Sequence, residues 1–410
     1  MSMKNYVIIG GGIAALGCIE GIRAVDKEGK ITLIGEEEYA PYARPLISYY
    51  LEGKTDPKKM QYRTEEFYKE NNVNLKLGAK ALKTDGKTVI CSDGEKLPFD
   101  SLLAATGSSP FVPPVKGLDS VGKYYTFMTL SDALEIEKAT DKNSRVLIVG
   151  AGLIGLKCAE GLWGRVSKIT VCDLADRVLS SILDKECAGI IEEKLKAKGI
   201  DFMLANTAES FEGKTAKMKN GETLDFDILI MAVGVRPNLS LLKEAGAEIN
   251  RGVLVNSKMQ TSVPDIYAAG DITEAPDISS GTNKVMAILP NAHMGGICAG
   301  KNMAGEPSEF DTQIPMNSIG FFGYHLMTAG TYEGELYEEK GEDFIKKLYV
   351  KDNLLKGLII LGKTEKTGIY TSLIRNKTPL DTINYEIIKK NPSLLPFSYK
   401  YCRKNLGGVL

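Results

Sequence analysis

The chain has 410 residues and a formal net charge of −1, from 51 Lys and Arg against 52 Asp and Glu. This balance argues against a protein that binds nucleic acid or a membrane surface, because such proteins need a strongly basic face. The length exceeds what one ordinary hydrophobic core requires and predicts two or three domains.

Cysteine, histidine and hydrophobicity patterns restrict the class further. The seven cysteines form no C-x-x-C or C-x4-C pair, which predicts reduced thiols in a reducing compartment. With two histidines in the chain, a His-rich metal site is excluded, and we assign no metal ligands. The longest uncharged apolar stretch, Tyr6–Ile19, is too short and glycine-rich to span a membrane. We therefore expect a cytoplasmic protein without a membrane segment.

The first predicted elements form a strand, a glycine turn and a helix within Asn5–Gly21. The strand covers Tyr6–Ile9, the helix runs to about Val25, and a second strand covers Lys30–Gly35. Such a segment is how a Rossmann unit binds a pyrophosphate, because the glycine turn allows close backbone approach and the helix N-terminus offers unpaired N–H groups. The motif G-x-G-x-x-G/A is formed by Gly10, Gly12 and Ala15.

The same pattern returns at Arg145–Gly161. A strand is predicted at Val146–Val149, a helix to about Trp163, and a second strand at Lys168–Asp173. Two copies predict two bound dinucleotides. The complete motif G-x-G-x-x-G is formed here by Gly150, Gly152 and Gly155.

A second repeat closes each copy. Asp100–Pro110 and Asp227–Pro237 share the pattern D-x-L-x-x-A-x-G-x-x-P, which predicts a strand that leads into a Gly/Pro turn. Four matched segments are much harder to obtain by chance than one glycine motif. The repeat therefore predicts two doubly wound α/β units.

The remaining predicted elements lie toward the C-terminus. Thr261–Asp271 predicts a strand and turn, and Asn291–Gly305 predicts a helix of small residues. After Phe310, alternating strand-like runs and turns predict a smaller α+β domain. The tail, Asn384–Leu410, is predicted to be helical, and Tyr399–Asn405 is its most cationic stretch.

Taken in order, these motifs resemble the FAD-dependent pyridine nucleotide–disulfide oxidoreductase superfamily. The closer resemblance is to its branch of NADH:rubredoxin oxidoreductases, NADH oxidases, ferredoxin reductases and nitrite reductase flavin modules, and it covers about residues 4–370. It implies an NAD domain inserted in an FAD domain, both Rossmann-like, and a C-terminal interface domain. The implied limits are 1–111 and 244–312 for the FAD domain, 112–243 for the NAD domain, and 313–410 for the interface domain. The motifs that carry the resemblance are GGGIAA, PYARPLIS, DSLLAATGSSP, GAGLIG, DILIMAVGVRP, TSVPDIYAAGD and NAHM.

The resemblance assigns roles to residues outside the glycine motifs. Asp271 would accept hydrogen bonds from the ribityl chain of FAD, and Glu36 or Glu37 from its adenosine ribose. Arg44 and Pro45 would lie against the isoalloxazine ring. Further positions assigned to cofactor binding are Thr106, Gly107, Gly234, Gly270, Asn291 and His293.

Asp173 ends the second strand of the second copy, 23 residues after Gly150. A carboxylate at about this spacing accepts from the adenine ribose 2′-OH and repels a 2′-phosphate. The sequence therefore predicts NADH rather than NADPH, although Arg177 leaves a phosphate contact open.

Three departures from the family pattern involve four positions. Pro45 stands where disulfide-reducing relatives carry a redox cysteine, so disulfide reduction is not expected. Lys157 replaces a glutamate close to the nicotinamide, and Tyr49 replaces the basic residue that often pairs with that glutamate. Either the pair has been replaced together, or nicotinamide docking is unusual; alternatively, Lys157 reaches a neighbouring carboxylate. Gly295 stands where many relatives have Gln.

We predict an NADH-dependent flavoprotein that passes a hydride from NADH to FAD and then electrons to an external acceptor. No catalytic side chain is assigned, because the cofactors supply the hydride chemistry. The favoured acceptor is a small redox protein such as rubredoxin or ferredoxin, docked on the cationic stretch Tyr399–Asn405, with a turnover that falls as ionic strength rises. The alternatives are an NADH oxidase using O2 or peroxide, and a flavin subunit of a larger redox complex. A monomer or a homodimer is expected.

Overall fold

The structure, a computed structural model, describes residues 3–394 and residue 397. The chain divides into two compact units. The first unit contains residues up to 41, residues 64–107 and residues from 237 onward, and the second contains residues 42–63 and 108–236. The limits of the three predicted domains stay a prediction.

Strand, helix and strand follow one another in Asn5–Gly35 as the glycine motif predicts, and after two further helices the segment ends in five consecutive strands. The strands are β1 (Asn5–Ile9), β2 (Lys30–Gly35), β3 (Val73–Leu77), β4 (Ala81–Thr84), β5 (Thr88–Cys91), β6 (Lys96–Pro98) and β7 (Ser101–Ala104). The helices are α1 (Ile13–Val25), α2 (Ile47–Leu51) and α3 (Glu65–Glu70), with a 3₁₀ turn at Arg44–Leu46.

In residues 108–237, a strand, a 3₁₀ turn and a helix come first, and the strand–helix–strand order of the glycine motif returns from Arg145 onward. The strands are β8 (Ser108–Pro110), β9 (Arg145–Val149), β10 (Lys168–Cys172), β11 (Ile200–Met203), β12 (Ala208–Glu212), β13 (Thr215–Met218), β14 (Thr223–Asp225), β15 (Ile228–Met231) and β16 (Val235–Pro237). The helices are α4 (Leu130–Ala139), α5 (Leu153–Leu162) and α6 (Lys185–Lys196), with a 3₁₀ turn at Leu118–Val121.

The last part of the chain is richer in antiparallel strands. The strands are β17 (Val253–Leu254), β18 (Ile266–Ala268), β19 (Thr273–Asp277), β20 (Thr282–Val285), β21 (Met316–Phe321), β22 (Tyr324–Gly330), β23 (Glu335–Gly341), β24 (Phe344–Lys351) and β25 (Leu354–Leu361). The helices are α7 (Ser240–Glu244), α8 (Leu289–Ala304), α9 (Gly368–Arg375) and α10 (Tyr385–Lys390), with a 3₁₀ turn at Leu380–Thr382.

The first unit is built on a parallel five-stranded sheet in the order β18-β7-β1-β2-β3. Its central strands are apolar on both faces, as expected of a parallel sheet covered on both sides. Helices α1 and α8 pack closely because glycines of each helix lie against the backbone of the other. A Cβ added to Gly17 would lie 2.3 Å from the carbonyl oxygen of His293, and a Cβ added to Gly300 would lie 2.3 Å from the carbonyl oxygen of Cys18. This close packing fixes the two helix N-termini beside each other.

A five-stranded antiparallel sheet follows in the same unit, in the order β21-β22-β25-β24-β23. Helix α9 buries Tyr370 and Leu373 against strand residues such as Leu348 and Leu358. The predicted α+β character of this region is confirmed.

The second unit contains a parallel sheet in the order β11-β10-β9-β15. A three-stranded antiparallel sheet, β12-β13-β14, joins its core through Phe211, Ala216 and Phe226. Both parallel sheets place the predicted glycine turns at the carboxyl ends of central strands. The predicted α/β class with two Rossmann-like cores is therefore confirmed.

Of the predicted helical tail, the described residues form the helix α10. Asn384 caps α10 by accepting a hydrogen bond from the Ile387 N–H, and the helix ends at Lys390. Pro392 follows within two residues and cannot continue a helix. Residues 395, 396 and 398–410 of the tail, which include the cationic stretch Tyr399–Asn405, lie outside the described residues.

Across residues 3–394, none of the helices combines the length and the apolar character that a membrane crossing needs. The same residues hold no group of three or more His, Cys, Asp or Glu side chains placed to bind a metal ion.

Candidate nucleotide-binding sites

The first glycine turn joins β1 to α1 and requires glycine at its first position. Gly10 has φ 120°, and a Cβ there would lie 2.0 Å from the Ala105 carbonyl oxygen, just past β7. The Gly10 N–H donates to the Ile34 carbonyl oxygen at 2.8 Å. The turn is therefore pressed against the carboxyl ends of two neighbouring strands, where Rossmann units bind their ligands.

The N-terminus of α1 is open and carries no side-chain cap. Gly12 is the N-cap, a Cβ on Gly11 or Gly12 would meet nothing within 4 Å, and the first turn contains no acidic residue. By contrast, Thr129 caps α4 and Asp184 caps α6 through side-chain oxygens. An uncapped N-terminus with open space above it fits the pyrophosphate of a dinucleotide.

Ala15 fills the third position of this motif and is fully buried. Its N–H donates to the Gly12 carbonyl oxygen at 3.1 Å, so it belongs to the first helical turn. Beyond β2, Glu36 lies at the surface, where Lys80 Nζ pairs with its Oε1 at 3.0 Å, while the Glu37 carbonyl oxygen accepts from the Gly78 N–H. The choice of Glu36 or Glu37 as ribose ligand stays a prediction.

A second turn, at Gly270 and Asp271, lies between the two packed helices. Gly270 has φ 83°, and a Cβ there would contact Ala14 of α1 at 3.4 Å and Ala292 of α8 at 3.7 Å. The structure thus brings Asp271 beside the N-termini of both helices. A carboxylate placed there can accept hydrogen bonds from the sugar-like chain of a dinucleotide whose phosphate lies on α1.

The first turns of α8 contain a buried acceptor. Asn291 is 4% exposed; its Nδ2 donates to the Ile314 carbonyl oxygen at 3.0 Å, while its Oδ1 accepts no hydrogen bond from any described residue. An unsatisfied buried oxygen fits a ligand donor at this position. His293 is half-buried, and its Nε2 lies 2.9 Å from Glu20 Oε2. Gly295 packs near Met259, whose sulfur would lie 3.3 Å from an added Cβ.

Thr106 and Gly107 are joined to Asn238, a residue that the sequence analysis missed. Thr106 Oγ1 donates to the Asn238 carbonyl oxygen at 3.0 Å, and Asn238 Nδ2 donates back to the Thr106 carbonyl oxygen at 2.8 Å. The Asn238 N–H donates to the Gly107 carbonyl oxygen at 3.0 Å. The available signal was the asparagine directly after the second G-x-x-P motif.

Replacing Asp271 with alanine is expected to weaken FAD retention by about ten- to a hundredfold, because it removes a charged acceptor from a preformed site. The measurement is the dissociation constant of FAD, by flavin fluorescence during titration of the apoprotein. Asp93→Ala, which removes an exposed carboxylate of the same unit, is the control. Wild-type FAD affinity in Asp271→Ala would remove Asp271 from the site.

The second glycine turn reproduces the first in the other unit. Gly150 has φ 118°, and a Cβ there would lie 2.3 Å from the Ala232 carbonyl oxygen, just past β15. A Cβ on Gly155 would lie 2.0 Å from the Gly150 carbonyl oxygen, whereas one on Gly152 would meet nothing within 4 Å. Helix α5 also lacks a side-chain cap and an acidic first turn. This site fits a second pyrophosphate.

Asp173 lies at the end of β10 and holds this turn. Its Oδ2 accepts from the Ala151 N–H at 2.6 Å, and its Oδ1 accepts from the Ala175 N–H at 2.8 Å. Arg177 NH1 donates to Asp176 at 2.7 Å, and Arg177 Nε donates to the Leu183 carbonyl oxygen at 3.3 Å. The cation nearest in sequence to Asp173 is thus engaged in its own loop, which favours NADH over NADPH.

Exposed apolar side chains surround the second turn, and the sequence analysis did not identify them. Leu174 is 64% exposed, and Leu153 and Val233 are each 38% exposed. Each is the sequence neighbour of a predicted site residue: Leu153 follows Gly152, Leu174 follows Asp173, and Val233 precedes Gly234. Such surfaces suit the flat faces of adenine and nicotinamide. Gly234 itself has φ 119° with open space where a Cβ would lie.

Lys157 and Tyr49, which stand where the family pattern has a glutamate and a basic residue, contact each other. Lys157 forms an ion pair with Glu160, and its Nζ lies 5.1 Å from the centroid of the Tyr49 ring. Lys157 thus reaches a neighbouring carboxylate, as one of the alternatives predicts, and the joint replacement of the pair stays a prediction. Arg44 lies in the same unit; its guanidinium is 5.9 Å from the Tyr42 ring centroid, and Pro45 is in the adjoining 3₁₀ turn. Their position against the isoalloxazine ring stays a prediction.

Two parallel sheets, each with an uncapped glycine turn at its carboxyl edge, define a protein that binds two dinucleotides. Residues 4–296 match the family model described as pyridine nucleotide-disulphide oxidoreductase, and the chain belongs to this family. It is an FAD-dependent NAD(P)H oxidoreductase that uses NADH. The predicted family and cofactors are confirmed.

Named relatives agree with this class. The NADH-dependent phenylglyoxylate dehydrogenase subunit epsilon of Aromatoleum evansii is 32% identical over 399 residues, 94% of each chain. The rubredoxin-NAD(+) reductase of Pseudomonas putida is 30% identical over 294 residues, 70% of this chain and 76% of that one. Among solved structures, the covalent putidaredoxin reductase–putidaredoxin complex matches with a TM-score of 0.85 and 25% identity, over 92% of this chain and 94% of the other.

Proposed function

We propose that the protein transfers electrons from NADH through FAD to an external protein with a one-electron centre, of the rubredoxin or ferredoxin kind. The observation that carries this proposal is the burial of every described thiol. The described cysteines are all buried, namely Cys18, Cys91, Cys158, Cys172, Cys187 and Cys298. Cys402 lies outside the described residues.

These thiols are poorly suited to a disulfide relay. Burial raises the pKa of Cys18 and of Cys158 well above the usual range, and raises the pKa of Cys172 to about 12. A relay needs the thiolate, which such pKa values disfavour. Pro45, at the position of the redox cysteine in disulfide-reducing relatives, carries no thiol. Electrons then leave from the flavin itself.

The chain's own residues bind and orient the nucleotides. The two glycine turns hold the pyrophosphates, Asp271 accepts from the ribityl chain, and Asp173 accepts from the adenine ribose. When bound, FAD accepts a hydride from NADH and can release electrons singly. No side-chain acid or base is needed for the hydride step, so the contribution of the protein is positioning.

Two of the relatives support a protein acceptor. One is named for its action on rubredoxin, and the other was solved in complex with putidaredoxin. The flavin-subunit alternative has its own support, because the Aromatoleum evansii relative is a complex subunit that matches over 94% of both chains. An oxidase using O2 is the third alternative. A cytoplasmic location, consistent with described cysteines that form no disulfide, belongs to the same proposal.

Anaerobic turnover of the FAD-loaded protein with NADH and a rubredoxin is expected to be at least about tenfold faster than with glutathione disulfide or coenzyme A disulfide. The reason is that no thiol relay is available to the disulfides. The measurement is the initial rate of NADH oxidation at 340 nm with each acceptor. Cys18→Ala and Cys158→Ala are expected to turn over like the wild type.

Each alternative predicts a different result in the same assay. A disulfide as the best acceptor, with its turnover lost in one cysteine variant, contradicts the proposal. Fast O2 consumption with rubredoxin no better than free flavin favours the oxidase. Flavin that is reduced by NADH but passes electrons to no small carrier favours the subunit of a larger complex.

A further inference from the structure

In the second unit, Tyr49 and Lys157 lie toward the β15 side of the central strand β9, whereas Asp173 lies toward its β10 side. In the order β11-β10-β9-β15, Asp173 follows β10, on one side of β9. On the other side, Tyr125 pairs with β15: its N–H donates to the Leu229 carbonyl oxygen at 2.9 Å. Helix α4 follows Tyr125, and α2 lies along it, because Tyr50 donates to Glu137 of α4.

A dinucleotide on the Gly150 turn extends to both sides of β9. Its adenosine half lies toward Asp173, so its nicotinamide half lies toward β15 and the helices beside it. Lys157 is four residues, or about one helical turn, beyond Leu153, on the same face of α5. Lys157 therefore lies on the nicotinamide side of the site.

Packing fixes the Lys157 ammonium at this position. Helix α2 approaches α5 closely because Gly161 has no side chain; a Cβ there would lie 3.0 Å from the Ser48 carbonyl oxygen. The Tyr49 ring thereby covers the ammonium at 5.1 Å. Glu160 pairs with it from a deeper position, since the Glu160 side chain is 6% exposed and that of Lys157 is 16% exposed.

We propose that Lys157 is a specificity-determining residue that favours NADH over NAD⁺. The nicotinamide ring is neutral in NADH and carries a positive charge in NAD⁺, so an ammonium on this side disfavours the product and leaves the substrate unaffected. The carboxylate of the more deeply buried Glu160 offsets part of the electrostatic repulsion that the Lys157 ammonium exerts on NAD⁺, and the Tyr49 ring holds the ammonium in place. With the offset, the discrimination is about five- to tenfold in affinity at an effective dielectric constant of about 20.

The test measures the affinity of the oxidised, FAD-loaded protein for NAD⁺ and for 1,4,5,6-tetrahydro-NAD, an analogue with an uncharged ring that donates no hydride. The readout is the perturbation of the flavin spectrum during each titration. Lys157→Met is expected to tighten NAD⁺ by more than about fivefold to tenfold, because the Glu160 carboxylate is left without the ammonium, and to change the analogue by less than about twofold. Glu160→Gln, which removes the offsetting carboxylate, is expected to weaken NAD⁺ selectively.

Two variants serve as controls, and a double variant serves as a second test. Lys157→Arg keeps the charge and is expected to keep the wild-type ratio. Lys196→Met removes a lysine that is also paired with a glutamate, at 2.6 Å in α6, and is expected to leave both affinities unchanged. If Lys157→Met alone does not fold, the Lys157→Met/Glu160→Gln double variant removes both charges together and is expected to tighten NAD⁺ by about five- to tenfold, which is less than the effect of Lys157→Met.

An unchanged ratio of the two affinities in Lys157→Met, or in the double variant, would overturn the proposal. Parallel changes in both affinities would assign Lys157 a packing role alone, and would overturn it as well. The inference rests on NADH as the nucleotide of the Gly150 turn, and no acceptor is present in the assay. Its failure is therefore distinguishable from failure of the proposed electron transfer.

Discussion

Replacing Gly10 with alanine is expected to weaken FAD binding by at least about a hundredfold. The added Cβ would lie 2.0 Å from the Ala105 carbonyl oxygen, at a backbone φ of 120° that side chains rarely adopt. The backbone strain alone costs about 1–3 kcal/mol, and the overlap must move the turn that holds the pyrophosphate. The measurement is the ratio of flavin to protein absorbance after gel filtration, with the thermal unfolding midpoint recorded in parallel.

Gly86→Ala is the matched control for backbone strain. Gly86 also has a positive φ, 89°, but a Cβ there would meet nothing within 4 Å. It is expected to lower stability slightly, by about 1 kcal/mol, and to leave the flavin ratio unchanged. A Gly10→Ala variant that retains flavin as the wild type does would show that this turn does not hold FAD.

Replacing Asp173 with serine is expected to lower the efficiency with NADH by about ten- to a hundredfold and to raise that with NADPH. The lost charged hydrogen bond to the ribose accounts for the first change, and the lost repulsion of a 2′-phosphate for the second. Removal of the acceptor of the Ala151 N–H also loosens the turn, which lowers NADH binding further. The measurement is kcat/KM with each nucleotide.

The control for this substitution is Asp201→Ser, which removes an exposed carboxylate on the neighbouring strand β11 that pairs with Lys168 at 3.2 Å. It is expected to leave both efficiencies unchanged. A wild-type preference for NADPH, or an Asp173→Ser variant with unaltered preference, would contradict the role assigned to Asp173.

The sequence was most informative where local chemistry decides the structure. The strands before both glycine turns begin one residue earlier than predicted, and α1 ends at Val25 as expected. Apolar runs and glycines at fixed spacing specify these elements without help from distant residues. The repeat then specified the second unit, including the close contacts of Gly10 and Gly150 with the strands beside them.

Features that depend on tertiary contacts were not predictable from the sequence. The Asn238 bridge to Thr106 joins residues 132 positions apart. The contact of Lys157 with Tyr49 depends on the approach of α2 to α5 across more than a hundred residues. Within the described residues, the predicted helix of the tail ends at Lys390, and Pro392, two positions further on, cannot continue it.

The most direct test of the proposed electron transfer is an anaerobic titration of the FAD-loaded protein with NADH, monitored by the flavin absorbance near 450 nm. The account predicts rapid bleaching by about one equivalent of NADH, much slower bleaching by NADPH, and return of the absorbance when oxidised rubredoxin is added. A flavin that NADH leaves oxidised, although FAD is bound, would contradict the assignment of the second glycine turn to NADH and with it the proposed electron transfer.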